Sequence, residues 1–244
     1  MYLIAHRGAS YDAPENTLSA VRLAWSQDAD AVEVDVHLTS DGRLAVIHDD
    51  DARRTTRVER RVAELTLAEL QRLDAGSWKG GAFAGEPVPS LDAALLLVPP
   101  GRRIFVEVKS GAEALRELVR SLMRCRLNPA QVVVIAFDFA TASAAKRQLA
   151  RCEVCWIVEQ DSVDGALGLA EIVRRAREGK LDGLDLEAAW VDATPGLAAQ
   201  VRAAGLKLYV WTVDDADLAR RLEAAGVDGI TTNRPGWLRA QLVG

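Results

Sequence analysis

No stretch of this sequence approaches the roughly 20 consecutive apolar residues a helix needs to cross a bilayer, so no membrane span is expected. Its start carries no charged segment, apolar segment and cleavage site in succession, so no secretory signal is read. The 30 Lys and Arg are mixed among 35 Asp and Glu with no basic block, so nucleic acid is not an expected partner. Cysteine is scarce and odd in number: Cys125, Cys152 and Cys155. Cys152-x-x-Cys155 has the spacing of a redox pair or half a zinc site, yet Cys155 falls in an apolar strand-like run and reads more simply as buried. A reduced, cytoplasmic setting is the expectation. There is no G-x-G-x-x-G, no P-loop and no G-x-S-x-G, and the cysteines and histidines are not spaced as zinc ligands.

What is present is an ordinary globular composition, 49% apolar and 27% charged, with a net charge of −5. A mild negative balance does not exclude a phosphate substrate, because local sites decide that. The 244 residues suit one α/β barrel as well as two small domains. Strand-like runs recur at Leu3–His6, Ala31–Val36, Leu44–His48, Ile104–Val108, Val132–Phe137, Val154–Val158, Gly183–Glu187, Leu206–Trp211 and Gly229–Thr232. Several are dense in β-branched residues, as parallel strands covered on both faces are. Amphipathic helices are expected at Asn16–Gln27, Ala112–Arg124, Ala140–Arg151, Ser162–Glu178, Pro195–Ala204 and Ala216–Ala225, with Gly205 and Gly226 as stops.

This alternation argues for a (β/α)8 TIM barrel spanning 1–244 as a single domain. Nine candidate strands must fill eight positions. Between Val36 and Leu44 there is no room for a helix, and Asp41-Gly42 signals a tight turn. The run at 44 is then either an antiparallel arm folded back on its predecessor or a parallel strand reached without its helix. Residues 49 to about 90 carry no clear strand and only one short helical run, Thr66–Leu73. They read as an insertion after the second histidine-bearing strand, docked through Leu65, Leu67, Leu70, Leu73 and Trp78.

The chemistry gathers at strand ends. Glu33 and Asp35, two apart, share one face of a strand, and Glu107 and Lys109 repeat that spacing. Three carboxylates in buried runs call for partners. Either they hold a hard cation such as Mg2+ or Ca2+ through oxygen, or they form ion pairs with Arg7 and Lys109. His6 and His48 both end strands, whereas His37 falls on the opposite face from Asp35. A phosphodiester needs one group to take a proton from the attacking oxygen and another to protonate the leaving oxygen, and two histidines suit both tasks. Arg7 and Lys109 suit phosphate, the first as a fork and the second as a point charge. Gly8 lets the backbone turn sharply or come close to a substrate.

His6-Arg7-Gly8-Ala9-Ser10, Ala13-Pro14-Glu15-Asn16-Thr17, Glu33-Val34-Asp35-Val36, Thr39-x-Asp41-Gly42 and His48-Asp49 closely resemble the glycerophosphodiester phosphodiesterase family. So do Arg54-Thr55-Thr56, Leu65-Thr66-Leu67, Pro89-Ser90-Leu91, Glu107-x-Lys109, Val210-Trp211-Thr212-Val213 and Gly226-Val227-Asp228-Gly229-Ile230. The likeness runs in order over nearly the whole chain. It implies a TIM barrel with a small insertion and a metal-dependent hydrolase giving glycerol 3-phosphate and an alcohol. It implies His6 and His48 as the acid/base pair, Glu33, Asp35 and Glu107 as ligands of Mg2+ or Ca2+ with His48 close by, and Arg7 and Lys109 as phosphate contacts. Trp211 is implied as an apolar wall for the glycerol or alcohol moiety, beside the plainer reading of barrel-end packing. Pro14-Glu15-Asn16-Thr17 is expected to shape a loop and cap a helix. The chain departs from the family at Ala136-Phe137, where Ser-Phe is common, at Asp214, often Asn, and at Asn233, often Asp; these bear on substrate preference. The rival readings are a phospholipase D-like enzyme acting on lysophospholipids and a non-catalytic barrel that binds phosphodiesters. Nothing in the sequence fixes an oligomeric state.

Overall fold

The computed structural model describes residues 1–162 and 164–243; Val163, inside the expected Ser162–Glu178 helix, and the final Gly244 lie outside the described residues. The apolar runs become strands β1 (Tyr2–Ala5), β2 (Ala31–Leu38), β3 (Leu44–Val46), β4 (Arg103–Val108), β5 (Val132–Ala136), β6 (Glu153–Val158), β7 (Gly183–Glu187), β8 (Lys207–Trp211) and β9 (Gly229–Thr232). Neighbours pair in parallel from β2 through β4 to β9, and β1 pairs with both β9 and β2, which closes an eight-stranded barrel. β3 is the odd strand. It runs antiparallel on β2, with Val36 opposite Val46 and Leu38 opposite Leu44. Of the two readings of the ninth run, the folded-back arm is the one adopted.

Helices cover the outside: α1 (Leu18–Ser26), α2 (Arg53–Thr56), α3 (Leu67–Leu70), α4 (Leu91–Leu95), α5 (Leu115–Cys125), α6 (Phe139–Gln148), α7 (Leu169–Glu178), α8 (Ala188–Ala193), α9 (Leu197–Ala203), α10 (Ala216–Ala225) and α11 (Pro235–Val243). The architecture is a TIM barrel. Among the described residues no helix is long and apolar enough to cross a membrane. α10 starts on the Asp215 cap and stops on Gly226 at φ 85°, as the sequence suggests. α1 starts two residues later than its pattern does. Thr17 caps it by accepting from the Ala20 N–H, and Asn16 stands outside at φ 57° with its side chain used elsewhere. The final α11 was not read from the sequence, and the short α4 and α8 were not legible because each has too few turns for a helical period to stand out.

Two apolar shells result from strand alternation. Outward residues such as Val32, Val34, Val106 and Val134 pack against the helices. Inward residues, among them Ile4, Phe105, Val133, Cys155 and Tyr209, fill the barrel. All three cysteines are free, and Cys155 is part of that filling. The floor at the N-terminal end is polar and closed: Glu153 accepts from Arg103 at 2.6 Å, Lys207 at 2.5 Å and the Tyr209 hydroxyl at 2.6 Å. Between β3 and α4, Ala52, Val62, Leu65, Leu67, Leu70 and Val88 form a small core of their own against Ala45 and Ile47. Leu73 packs against it, while Trp78 is half-buried and donates to the Ala75 carbonyl. This segment is tied to the barrel by Ser19 donating to Glu86 and by Lys79 donating to the Ser10 carbonyl.

Candidate active site

Period-two alternation carries Glu33, Asp35 and Glu107 to the inner side of adjacent strands, where β2 and β4 pair Asp35 with Glu107. One oxygen from each of the three lies within 4.8 Å of the others. Around them, His6, Arg7, Glu33, His48, Glu107, Lys109 and Trp211 all line one cavity of about 200 Å3 at the C-terminal end of the barrel. Asp35 lies just beneath, 1% exposed. A larger open groove of about 840 Å3 lies at the other end, where Lys207 pairs with Glu153 and Lys146 with Asp182.

The three acids engage both neighbouring cations. Arg7 donates its backbone N–H to Glu33 Oε2 at 2.8 Å, and its Nε lies 3.2 Å from Asp35 Oδ2. Lys109 Nζ lies 2.6 Å from Glu107 Oε1 and 3.4 Å from Asp35 Oδ1. Asn16 clamps Asp35 from both sides, donating to Oδ2 at 2.7 Å and accepting the Asp35 N–H at 3.1 Å. Three buried carboxylates thus face two cations, and Arg7 is shared with Glu15 at 2.9 Å. Among the described residues Glu33 Oε1 is buried with no hydrogen-bond partner, and Asp35 Oδ1 has Lys109 alone, at 3.4 Å. Orphaned carboxylate oxygens converging in excess of the available positive charge fit a hard divalent cation.

Electrostatics bear the strain of that excess. Burial, then the charges of Asp35 and Glu107, hold the Glu33 carboxyl well above its usual range. Burial and Asp35 push Glu107 up to about 7 against the pull of Lys109. For Asp35 burial is overcome by Lys109, Arg7 and His48, which together hold it down at about 2. One acid held low beside two held high is the pattern expected of a site whose cation competes with protons.

The two histidines are held differently. His6 Nδ1 is 2.8 Å from Asn233 Oδ1. Asn233 is oriented by donating its own amide to Asp214 Oδ2 at 2.6 Å, and Ser10 donates to the same Oδ1. The oxygen therefore faces His6, so Nδ1 carries the proton and Nε2 is the free acceptor. Burial, then Arg7, lowers the His6 pKa, which favours the neutral ring. His48 Nδ1 sits 2.8 Å from Asp49 Oδ1, and Arg54 bridges Asp49 and Glu15. His37 turns away, as alternation requires, and donates from Nε2 to the His48 carbonyl at 2.9 Å. Gly8 serves the turn: at φ 80°, an added Cβ would lie 2.5 Å from the backbone carbon of Ala20 on α1, so the close approach is to a helix. Trp211 forms a wall with Phe137, edge to face at 5.8 Å, and donates to the Asp185 carbonyl at 3.3 Å.

Sequence reasoning missed several participants. Asn16 and Glu15 do more than shape a loop. Asp214 and Asn233 stood as separate departures, yet they are hydrogen-bonded to each other. Asp185 also lines the cavity, buried, with its carboxyl pushed up to about 8 by burial and by Glu107. Its signal was available in Gly183-Leu184-Asp185-Leu186-Glu187, where alternation puts Asp185 inward.

The model of the glycerophosphoryl diester phosphodiesterase family matches residues 6–237. A glycerophosphodiester phosphodiesterase of Caldanaerobacter subterraneus subsp. tengcongensis is 33% identical over 240 residues, covering 96% of this chain and 94% of the relative. One from Bacillus subtilis is 30% identical over 258 residues, covering 95% and 83%. Among solved structures, an Oleispira antarctica phosphodiesterase in complex with the product sn-glycerol-3-phosphate superposes with TM-score 0.90 at 28% identity, covering 100% of this chain and 97% of that one.

Proposed function

The chain belongs to the glycerophosphoryl diester phosphodiesterase family, and from that premise we propose that it hydrolyses glycerophosphodiesters to glycerol 3-phosphate and an alcohol. The observation that carries this reading is the single cavity shared by two histidines, two cations and the acid cluster. We take the whole chain as one phosphodiesterase domain with 49–90 as an insertion. Its setting is taken as the reducing cytoplasm, in keeping with three free cysteines.

Arg7 and Lys109 bind and orient the phosphate, the first through its guanidinium fork. His6, proton on Nδ1, uses Nε2 to take the proton of the attacking hydroxyl, whether of water or of the glycerol 2-position. A P–O bond forms to that oxygen. His48 gives a proton to the departing oxygen as the second P–O bond breaks, and the neighbouring Asp49 carboxylate offsets the charge its ring carries beforehand. Glu33, Asp35 and Glu107 would hold a divalent cation, Mg2+ or Ca2+, whose charge stabilises negative charge developing on the phosphorus-bound oxygens. Trp211 excludes water from the apolar side of the cavity.

The lysophospholipid and non-catalytic readings are not favoured by any of these observations. A panel of glycerophosphocholine, glycerophosphoethanolamine and a lysophospholipid, each run with Mg2+, Ca2+ and Mn2+, tests the proposal. Release of glycerol 3-phosphate from the first two supports it. Turnover of the lysophospholipid alone would replace it.

A further inference from the structure

Asp185 stands apart from the other acids of the cavity. Asp35 is held by Asn16 and Arg7, Glu107 by Lys109, and Glu33 by the Arg7 N–H. Asp185 is 2% exposed, and among the described residues its Oδ1 has no hydrogen-bond partner and the charge that acts on it is Glu107, of like sign. An unpartnered carboxyl at this depth is costly, so a ligand donor is the natural remedy.

Its surroundings say what kind of donor. Ile135 and Ile157 line the same cavity, and the Phe137–Trp211 pair walls it, with Trp211 anchored on the Asp185 carbonyl. Apolar surface beside one acceptor suits a short carbon chain bearing a hydroxyl. The space of about 200 Å3 suits a three-carbon unit beside a phosphate.

We infer that Asp185 is the hydroxyl-recognising residue of this cavity, accepting a hydrogen bond from a free hydroxyl of the glycerol moiety. It thereby selects glycerol diesters over diesters carrying only alkyl or aryl groups. A plain alkyl or aryl group would leave the buried carboxyl unpaired, and such sites discriminate strongly against analogues that lack the hydroxyl. This rests on the phosphodiesterase reading above.

The test is the ratio of kcat/KM for glycerophosphocholine to that for bis(p-nitrophenyl) phosphate, which has no hydroxyl. In Asp185→Leu the ratio is expected to fall ~10–100-fold, chiefly through KM for the glycerol ester. Asp185→Asn keeps an accepting oxygen in the same shape and should recover much of it. If the leucine variant does not fold, Asp185→Ser, too short to reach, is read by the same ratio. Equal losses on both substrates would overturn the inference, as would a loss cured by raising the cation concentration, which would make Asp185 a metal ligand. A wild-type chain inert on glycerophosphocholine but active on the aryl diester would instead overturn the glycerophosphodiester reading, and this one with it.

Discussion

The His6 imidazole and the Asn233 side chain meet at 2.8 Å although 227 residues separate them. Asn233 in turn donates to Asp214, so a neutral amide stands between the ring and the nearest carboxylate of this chain of contacts. Exchanging the two, Asn233→Asp with Asp214→Asn, puts the carboxylate directly on Nδ1. A carboxylate there favours the imidazolium and raises the His6 pKa, so the neutral base is reached only at higher pH. The acidic limb of the kcat/KM profile should move up by about one pH unit. An unmoved limb would separate His6 from the proton transfer.

His6→Ala and His48→Ala should each lose ~10²–10⁴-fold in kcat with circular dichroism and melting behaviour retained. Near wild-type turnover in either variant would remove that residue from the proton-carrying pair.

Chelation should abolish turnover, and readdition of Mg2+, Ca2+ or Mn2+ should restore it. Full activity in excess EDTA would show that Glu33, Asp35 and Glu107 hold no essential ion.

The cation-free protein should lose stability as pH rises from 5 to 8. Glu107, raised from its ordinary 4.5 to about 7, keeps its proton when folded in a range where the unfolded chain has released it. Folding is therefore progressively penalised through that window, until both states are ionised above it. Asp35, held near 2, acts with the opposite sign: its contribution is present above its ordinary 3.8 and is lost as pH falls through 2. Glu107→Gln should flatten the decline, which thermal melts should show as a change of about 5 °C. Parallel curves for variant and wild type would contradict the assignment.

Gly8→Ala should destabilise by about 3 kcal/mol or more, because the added methyl meets backbone of α1 and the residue sits at positive φ. Gly42→Ala, also at positive φ but with open space around it, should cost only about 1 kcal/mol. Comparable losses at the two positions would mean that conformation, rather than contact, sets the cost at Gly8.

Much of the site was legible because its parts lie two residues apart within one strand. Alternation alone groups Glu33 with Asp35 and Glu107 with Lys109, and sets His37 aside. The hairpin that carries His48 announced itself through Asp41-Gly42. What was not legible depends on register between distant strands. Arg54 reaches Glu15 across 39 residues, and Asn233 reaches His6 only because β9 lies beside β1. Asn16 looked like part of a helix because its neighbours carry helical periodicity, whereas its amide is committed to Asp35. Asp185 was overlooked although Glu187 repeats the same spacing in its strand, because no histidine or cation beside that pair drew attention to its inward face.

β1 hydrogen-bonds to β2 on one side and to β9 on the other. During synthesis β1 must therefore wait for β9, with one edge open until Gly229–Thr232 has left the ribosome. His6 is exposed early and becomes oriented late. Fragments ending before β9 should be inert and prone to pair through their unsatisfied edges, so activity reports on closure of the barrel by β9.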